Sequence, residues 1–364
     1  MHVNKLQLQY FRAYSYAEIS LSPQMNIVLG GNAQGKSTII EALSLFALGR
    51  SLRAKMDRDM IQFNAMQSSL HVSISKLNGQ TDLAIKISER GKQVAVNRIP
   101  QKNMSDFLGN LYVVSFTPDD LQLIKGGPEE RRRFLNISMS QFIQHYMASL
   151  HRYTQLLLQR NRLLKSKQFE ALDIWNTQFC TAAVELIMLR SQFVQQLSTF
   201  AQEQYATIVH SSETLGITYK TDVKDGTKEQ MEMEMEETLK RHLSTDMLRG
   251  YTSVGPHRDD LMFSLNEHPL ARFGSQAQQR STVLALKLGL IHYIQKVTNE
   301  YPILLLDDVL SELDLERQDH LLSLINKTQT VLTATHTSTI PSLALTPFKS
   351  FQVCHGIITE KENE

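Results

Sequence analysis

Residues 30–37 constrain the fold of this chain more than any other segment. They read GGNAQGKS and fit the pattern G-x4-G-K-[ST]. Residues 25–29, MNIVL, are almost entirely apolar, which is typical of a buried strand. Residues 39–46 carry apolar side chains at helical spacing, and Gly49 is a plausible C-cap. A strand, a glycine-rich turn and a helix in this order predict a phosphate-binding loop, the P-loop.

The residue types of the P-loop suit the binding of ATP. Glycines let backbone N–H groups surround phosphate oxygens, and the start of a helix adds positive potential. Lys36 is expected to reach the β- and γ-phosphates and Ser37 to bind Mg²⁺. The alternative is a glycine-rich turn with an incidental lysine, but the flanking strand and helix favour the functional interpretation. The predicted nucleotide contacts are Gly30, Gly31, Asn32, Ala33, Gln34, Gly35, Lys36, Ser37 and Thr38.

A pair of acidic residues supplies a candidate partner for the P-loop. Residues 303–308 read ILLLDD, so a buried strand ends on two carboxylates. Ligands of open α/β sheets bind at the carboxyl ends of the strands. Asp307 is therefore predicted to hold Mg²⁺, directly or through water, and Asp308 to polarise the attacking water. The alternative, acids that merely cap the next helix, is weakened by the P-loop elsewhere in the chain.

The remaining pattern predicts an α/β domain interrupted by helices. Residues 70–97 look like a three-stranded antiparallel meander. Two long amphipathic helices follow, joined near residues 166–171, and residues 224–237 are predicted to be an exposed helix start or a linker. From about residue 250, helices alternate with apolar strands, which implies a parallel sheet. The predicted boundaries are 1–118 and 250–364 for the two halves of the α/β domain and 119–249 for the helical lobe.

Charge is close to balanced over the whole chain but not along it. The 38 lysines and arginines against 37 acids, taken as one total, argue against a nucleic-acid partner. Residues 121–167, however, contain nine lysines and arginines against two glutamates. Such runs suit phosphate binding, although a solvated helix face is an equally good interpretation. The predicted DNA contacts are Arg50, Arg53, Lys55, Arg131 and Arg132.

The location of the protein is predicted from what the sequence lacks. Two cysteines cannot form a disulfide framework, which favours the cytosol. No stretch approaches the roughly 18 apolar residues of a membrane span, and the N-terminus does not resemble a signal peptide. We therefore expect a cytoplasmic protein without a membrane partner.

Three further segments, taken with the P-loop and the acidic pair, resemble the ABC-type ATPases. Residues 273–280, FGSQAQQR, are similar to the signature loop, whose serine would be Ser275. Residues 311–314, SELD, are similar to the D-loop, and His336 to the switch histidine. The resemblance implies an ATPase head, with a P-loop sheet and an antiparallel β subdomain, interrupted by an α-helical lobe. It also implies that Ser275 meets the γ-phosphate held by a second subunit.

Longer segments resemble the RecF family, the bacterial recombination and repair ATPases grouped with SMC and Rad50-like proteins. These segments are residues 6–14 (LQLQYFRAY), 116–135 (FTPDDLQLIKGGPEERRRFL), 255–261 (GPHRDDL) and 304–314 (LLLDDVLSELD). The resemblance implies that Arg12 and Gln278 contact the nucleotide. It further implies an ATP-dependent homodimer that binds single-stranded or gapped duplex DNA, acts with RecO and RecR to load recombinase, and serves gap repair, replication restart and SOS induction.

Two residues depart from the wider pattern and suggest slow hydrolysis. Ala277 stands where the signature loop usually has glycine, and Asp308 where these ATPases usually have glutamate. We therefore expect a weak ATPase in which ATP acts as a dimerisation switch. The alternatives are the nucleotide-binding subunit of an ABC transporter and a small-molecule P-loop kinase. The arginine-rich helical lobe and the lack of a recognisable Q-loop glutamine count against the transporter.

Overall fold

The computed structural model describes residues 1–210, 212–310, 314–322, 327–335 and 347–361. The chain divides into two compact units. The first unit consists of Met1–Asp120, Thr207–His210 and Leu284–Glu364, and the second of Leu121–Ala206 and Ser211–Val283. The P-loop and the acidic pair both belong to the first unit, whereas the Ser275 loop belongs to the second.

The strands of the described residues follow the chain in this order: β1 (His2–Phe11), β2 (Tyr14–Ser20), β3 (Met25–Leu29), β4 (Gln67–Lys76), β5 (Gly79–Ser88), β6 (Gly91–Val96), β7 (Ile99–Pro100), β8 (Val113–Phe116), β9 (Leu215–Lys220), β10 (Asp260–Leu265), β11 (His268–Pro269), β12 (Ile303–Asp307), β13 (Thr330–Ala334), β14 (Phe348–Cys354) and β15 (Ile357–Lys361).

The α-helices of the same residues are α1 (Lys36–Leu48), α2 (Met104–Phe107), α3 (Gln122–Lys125), α4 (Pro128–Phe142), α5 (Tyr146–Lys165), α6 (Leu172–Val209), α7 (Lys228–Arg249), α8 (Leu270–Phe273), α9 (Gln276–Thr298) and α10 (Leu315–Leu322). Short 3-10 turns at Asp57–Met60, Pro118–Leu121 and Phe169–Ala171 complete the regular structure.

A mostly parallel sheet forms the centre of the first unit. Its strand order is β15-β14-β3-β13-β12-β8, and β3 pairs in parallel with both β13 and β14. All five residues of β3 and all five of β12 are buried, because neighbours cover the strands on both faces. The predicted strands at 25–29 and 303–306 are confirmed. Since β13 alone separates β3 from β12, the P-loop and the acidic pair lie at the same edge of the sheet.

An antiparallel sheet accompanies the parallel one in the first unit. Its order is β2-β1-β4-β5-β6-β7. Alternate residues of β1 and β4, such as Leu6, Leu8, Leu70 and Val72, are buried, so one face of the sheet packs against a core. The predicted meander of residues 70–97 is confirmed by the pairing of β4 with β5 and of β5 with β6.

The second unit is built from long helices and a small sheet. Helices α5 and α6 are joined through residues 166–171, as the sequence predicted. The sheet, with the order β11-β10-β9, was not predicted. Arg160 lies fully buried between the helices, where it forms an ion pair of 2.8 Å with the equally buried Asp246 of α7. A buried pair of this kind needs further hydrogen bonds, and Thr252 supplies one to Arg160 at 2.7 Å.

Two segments differ from their predictions. Residues 250–283 belong to the second unit, whereas the sequence placed them in the second half of the α/β domain. The reason is that β10 pairs with β9 and that Arg131 of α4 binds Asp260 at the start of β10. The acidic, methionine-rich stretch does contain a helix start, that of α7, but this helix is packed on one side, because Met231 and Met235 are four residues apart and both are buried.

None of the helices among the described residues combines the length and the apolar character needed to cross a membrane.

Candidate nucleotide-binding site

The P-loop connects the end of β3 to the first turn of α1. Gly35, at the N-cap of α1, has φ = 112°, a conformation that side chains other than glycine rarely adopt. At Gly30 the reason for glycine is space, because a Cβ there would lie 2.6 Å from the Val353 carbonyl oxygen. The side chain of Lys36 is buried, and its ammonium donates to the carbonyls of Gly30 at 2.8 Å and Gly31 at 3.1 Å. The loop is thus folded around its own lysine.

Asp307 lies beside the P-loop at the end of β12. Its Oδ1 accepts a hydrogen bond of 2.8 Å from the Ser37 hydroxyl and one of 2.9 Å from the Thr333 hydroxyl. Its Oδ2 forms an ion pair with the guanidinium of Arg53. The Asp307 side chain is only 4% exposed, so these contacts fix its position. The two residues predicted to hold Mg²⁺ are therefore brought together.

The donor set of Ser37 and Asp307 suits Mg²⁺. A hydroxyl and a carboxylate offer the hard oxygen ligands that this cation prefers, and water and phosphate oxygens usually complete its octahedron. The adjacent Lys36 ammonium and the start of α1 provide the positive potential that phosphates need. The residues at the predicted site thus fit both ATP and Mg²⁺.

Asp308 follows Asp307 but has a different environment. Its φ is 53°, a left-handed conformation that aspartate tolerates better than most residues but that still costs about 1–3 kcal/mol. Its N–H donates to the Thr333 hydroxyl at 3.0 Å, so one threonine orders both acids. Burial raises the pKa of the Asp308 carboxyl; the charge of Lys36 opposes this rise and that of Asp307 reinforces it. A raised pKa suits a general base, which works best when its pKa is near the ambient pH.

Arg12 is anchored to the helix that follows the P-loop. Its guanidinium donates to both carboxylate oxygens of Glu41 in α1, at 3.0 and 2.7 Å, and to the carbonyl of Asp59 at 2.7 Å. Ser51 donates to the same carboxylate. Beside Arg12 lies a groove of about 1230 Å³, lined among others by Phe63, whose side chain is 96% exposed.

The turn between β14 and β15 also contacts the P-loop. The N–H of His355 donates to the side-chain oxygen of Gln34 in the P-loop at 2.7 Å. A Cβ on Gly356 would lie 2.3 Å from the carbonyl oxygen of Ala13, the residue after Arg12. The dipeptide His355-Gly356, both residues with φ > 0, is a signal for a tight hairpin turn, but nothing in the sequence indicates what that turn contacts.

The Ser275 loop forms the N-terminus of α9 in the second unit. The Ser275 hydroxyl accepts from the N–H of Gln278 at 3.2 Å, and the N–H of Ser275 donates to the side-chain oxygen of Gln278 at 2.8 Å. This reciprocal pair is a capping box. Gln278 also donates to Glu213 at 2.7 Å, within the same unit. Ser275 and Ala277 are exposed, so the cap leaves the loop accessible to another molecule.

The predicted DNA contacts are found in three settings. Arg53 pairs with Asp307, as described above. Arg131 binds both carboxylate oxygens of Asp260, at 2.6 and 2.9 Å, and Arg132 donates to the carbonyl of Asp259 at 2.8 Å. These two arginines therefore hold the start of β10. Arg50 and Lys55 are exposed.

Two predicted elements fall partly or wholly outside the described residues. His336 is one of them, and residues 311–313 of the D-loop-like segment are the other. Asp314, the last residue of that segment, forms an ion pair with Arg317 in α10.

Comparison with known sequences identifies relatives over the whole chain. A family model described as an AAA domain matches residues 5–329. The DNA replication and repair protein RecF of Listeria welshimeri is 40% identical over 371 aligned positions, which cover 98% of this chain and 99% of that protein. The protein of the same name in Streptococcus thermophilus is 39% identical and is aligned over 100% of both chains.

Comparison with solved structures agrees with the sequence comparison. The recombination mediator protein RecF-ATP in the RecFOR pathway has a TM-score of 0.92 at 26% identity, over 99% of this chain and 98% of that chain. An Smc head bound to the C-winged helix domain of ScpA has a TM-score of 0.56 at 14% identity, over 99% of this chain and 97% of that chain, which shows a shared fold. The expected ATPase-head fold is therefore confirmed. The names of these relatives refer to DNA replication and repair, which counts against the alternative of a transporter subunit. The chain belongs to the RecF family of DNA replication and repair proteins.

Proposed function

We propose that this protein is an ATP- and DNA-binding factor of recombinational repair and a weak ATPase. The observation that carries the nucleotide site is the hydrogen bond of 2.8 Å between Ser37 and Asp307. It joins two segments 270 residues apart in sequence, the P-loop and the acidic pair, at one edge of the parallel sheet. A glycine-rich turn that binds no nucleotide would not be expected to lie beside such a carboxylate.

Each residue of the site has a distinct role in this proposal. Lys36 binds the β- and γ-phosphates once its ammonium leaves the carbonyls of the loop, and the backbone of residues 30–38 surrounds the same phosphates. Ser37 and Asp307 hold Mg²⁺, which supplies charge neutralisation at the phosphates when bound. Asp308 orients the attacking water and accepts its proton, for which its raised pKa is suited.

The groove beside Arg12 is proposed to receive the base and ribose of the nucleotide. Arg12 and Ala13 line it, and Ala13 also contacts the turn of residues 355–356 that bonds to the P-loop. The exposed ring of Phe63 offers a stacking face. Arg12 would act on the nucleotide from its anchor on Glu41.

ATP binding at this site is proposed to cause two copies of the protein to dimerise. The exposed Ser275 loop is accessible to a second copy, where Ser275 would meet the γ-phosphate, and His336 is proposed as the switch histidine. The methyl group of Ala277, in place of the usual glycine, leaves less space between the Ser275 loop and the γ-phosphate. The side chain of Asp308 is shorter than that of the usual glutamate, which makes hydrolysis slow. The dimer is proposed to bind single-stranded or gapped duplex DNA in the cytoplasm and to act with RecO and RecR in recombinase loading, gap repair, replication restart and SOS induction.

The first test separates nucleotide binding from hydrolysis. Lys36→Ala is expected to weaken ATP binding roughly 10- to 100-fold, because a charge-assisted contact contributes about 1.5–3 kcal/mol. Asp308→Asn is expected to keep ATP affinity within about twofold, to lower the hydrolysis rate by two or more orders of magnitude and to leave an ATP-bound dimer. Titration with ATP, a hydrolysis assay and sedimentation measure the three quantities.

Lys86→Ala serves as the control, because Lys86 is an exposed lysine on β5 of the same unit. Equal loss of ATP affinity in Lys36→Ala and Asp308→Asn would refute this division of roles. A wild-type protein that remains a monomer with ATP and ignores DNA would refute the larger proposal.

A further inference from the structure

The C-terminal ends of α5 and α7 lie side by side in the second unit. Asn161 in α5 accepts hydrogen bonds from the N–H and the hydroxyl of Thr252, at 2.8 and 2.7 Å, just beyond the end of α7. A Cβ on Gly250, the C-cap of α7, would lie 3.6 Å from Cγ of Lys165. Residues that end these two helices therefore share one surface, although about 85 residues separate them in sequence.

That surface is basic. Arg162, Lys165 and Lys167 at the end of α5 and Arg249 at the end of α7 are all exposed. None of the four forms an ion pair with any residue that the structure describes. The acid in the last turns of α7, Asp246, is fully buried and bound to Arg160, so it does not neutralise them. We call these four residues, with Tyr251 and Arg258, the α5–α7 surface.

Helix capping explains only part of this arrangement. Basic side chains near a helix C-terminus interact favourably with the helix dipole, and one or two per helix need no other reason. The dipole does not account for the aromatic and apolar groups beside them. The guanidinium of Arg258 lies 5.2 Å from the ring centre of Tyr251, which is 37% exposed, and Leu248 is 89% exposed.

Cations beside an accessible aromatic ring fit single-stranded nucleic acid. Phosphates along the strand bind lysine and arginine, and unpaired bases stack on aromatic or guanidinium faces. A duplex would use the charges but offers no free base face for Tyr251. An acidic polypeptide would likewise bind the lysines and arginines but would not account for the exposed ring of Tyr251.

We propose that the α5–α7 surface binds single-stranded DNA, with Tyr251 stacked on a base and Lys165, Lys167 and Arg249 on phosphates. This inference rests on the proposed DNA-binding function and names the part of the molecule that contacts the unpaired strand. The sequence predicted DNA contacts at Arg131 and Arg132. The α5–α7 surface replaces these two residues as the proposed contact, because they are bound to Asp260 and to the carbonyl of Asp259.

The test compares two variants on single-stranded and duplex oligonucleotides of equal length, with ATP, over a series of salt concentrations. For single-stranded DNA, log affinity falls as log salt concentration rises. The triple variant Lys165→Ser, Lys167→Ser, Arg249→Ser is expected to make this dependence less steep, by about 2 units of slope. Tyr251→Ala is expected to weaken single-strand binding roughly 5- to 150-fold, and Tyr251→Phe to retain it. The matched control removes three exposed cations of the first unit, Lys86→Ser, Arg90→Ser and Lys102→Ser, and is expected to leave the slope unchanged.

The outcomes separate this inference from the function on which it rests. If the wild-type protein binds DNA and neither variant changes single-strand affinity, the surface assignment is wrong and the DNA-binding function stands. If the wild-type protein binds no DNA, the function itself fails. Equal losses on single strand, duplex and polyglutamate with no effect of Tyr251→Ala would reveal a general polyanion surface and overturn the assignment to single-stranded DNA.

Discussion

Asp307 and Asp308 are neighbours in sequence, yet their surroundings give them different chemistry. Three side chains, Ser37, Thr333 and Arg53, contact the Asp307 carboxylate and fix its position. The Asp308 carboxyl has a raised pKa because burial disfavours its charge. A metal ligand needs a fixed position, whereas a general base benefits from a raised pKa. These different surroundings support the roles proposed for the two carboxyl groups.

If Asp307 binds Mg²⁺ as proposed, Arg53 would compete with the cation, because its guanidinium already contacts one carboxylate oxygen. Removing it by Arg53→Ala is expected to strengthen the binding of Mg²⁺-ATP by roughly two- to fivefold. The effect is modest because the Arg53 side chain is 53% exposed and a partly exposed ion pair contributes only about 0.5–1 kcal/mol. Calorimetric titration with ATP, at several Mg²⁺ concentrations, measures the change.

Lys55→Ala is the matched control, since Lys55 is an exposed cation two residues away in the same segment. Its ATP affinity is expected to equal that of the wild type. Weaker rather than stronger binding in Arg53→Ala would contradict the competition and would mean that Arg53 contacts the phosphates itself.

At the scale of elements, the β14–β15 hairpin, near the C-terminal end of the chain, contacts the loops of the proposed nucleotide site. Strand β14 pairs with β3, which places the hairpin turn against both the P-loop and the turn between β1 and β2. The contact at Gly356 is so close that an added methyl group would have to displace the carbonyl of Ala13.

Gly356→Ala is therefore expected to lower ATP affinity roughly 10-fold by shifting the loops around the phosphates, since a displacement of about 1 Å can have effects of up to 100-fold. Gly79→Ala is the control, because Gly79 also has a positive φ but has nothing within 4 Å of the added methyl group. It should destabilise the fold slightly and leave ATP affinity unchanged. The same affinity loss in both variants would show that backbone strain, and not the contact with Ala13, is responsible.

At the scale of the whole molecule, the chain divides into two compact units. The second unit contains the fully buried pair of Arg160 and Asp246, and Thr252 and Asn176 accept further hydrogen bonds from Arg160. Asp246→Asn leaves the Arg160 charge buried without its partner and is expected to reduce the stability of the second unit by about 3–5 kcal/mol. Hydrogen exchange should therefore accelerate in β9 and α7, while β3 and β12 of the first unit keep their protection.

The double variant Arg160→Met, Asp246→Leu tests the cause, because replacing both charges by apolar groups is often nearly neutral. Its protection is expected to return most of the way to that of the wild type. Equal loss of protection in β3 and α7 for Asp246→Asn would instead mean that the two units unfold together.

Local patterns in the sequence determined much of this protein. The P-loop, the strands β3 and β12, the meander and the helices α5 and α6 were predicted because each leaves its signal within a few residues: glycine spacing, an apolar run or a helical period. The methionines of α7 carried such a signal too, in Met231 and Met235, but the surrounding glutamates obscured it.

Only the tertiary structure decided which distant residues meet. The sequence predicted that Ser37 and Asp307 act together, but it could not reveal that Arg53 shares this carboxylate, that His355 bonds to Gln34 or that Arg131 is engaged by Asp260. Nor could it show that β10 pairs with β9, so that residues 250–283 belong to the second unit. Such contacts depend on strand order and on the packing of segments far apart in the chain, and short-range sequence patterns carry no record of either.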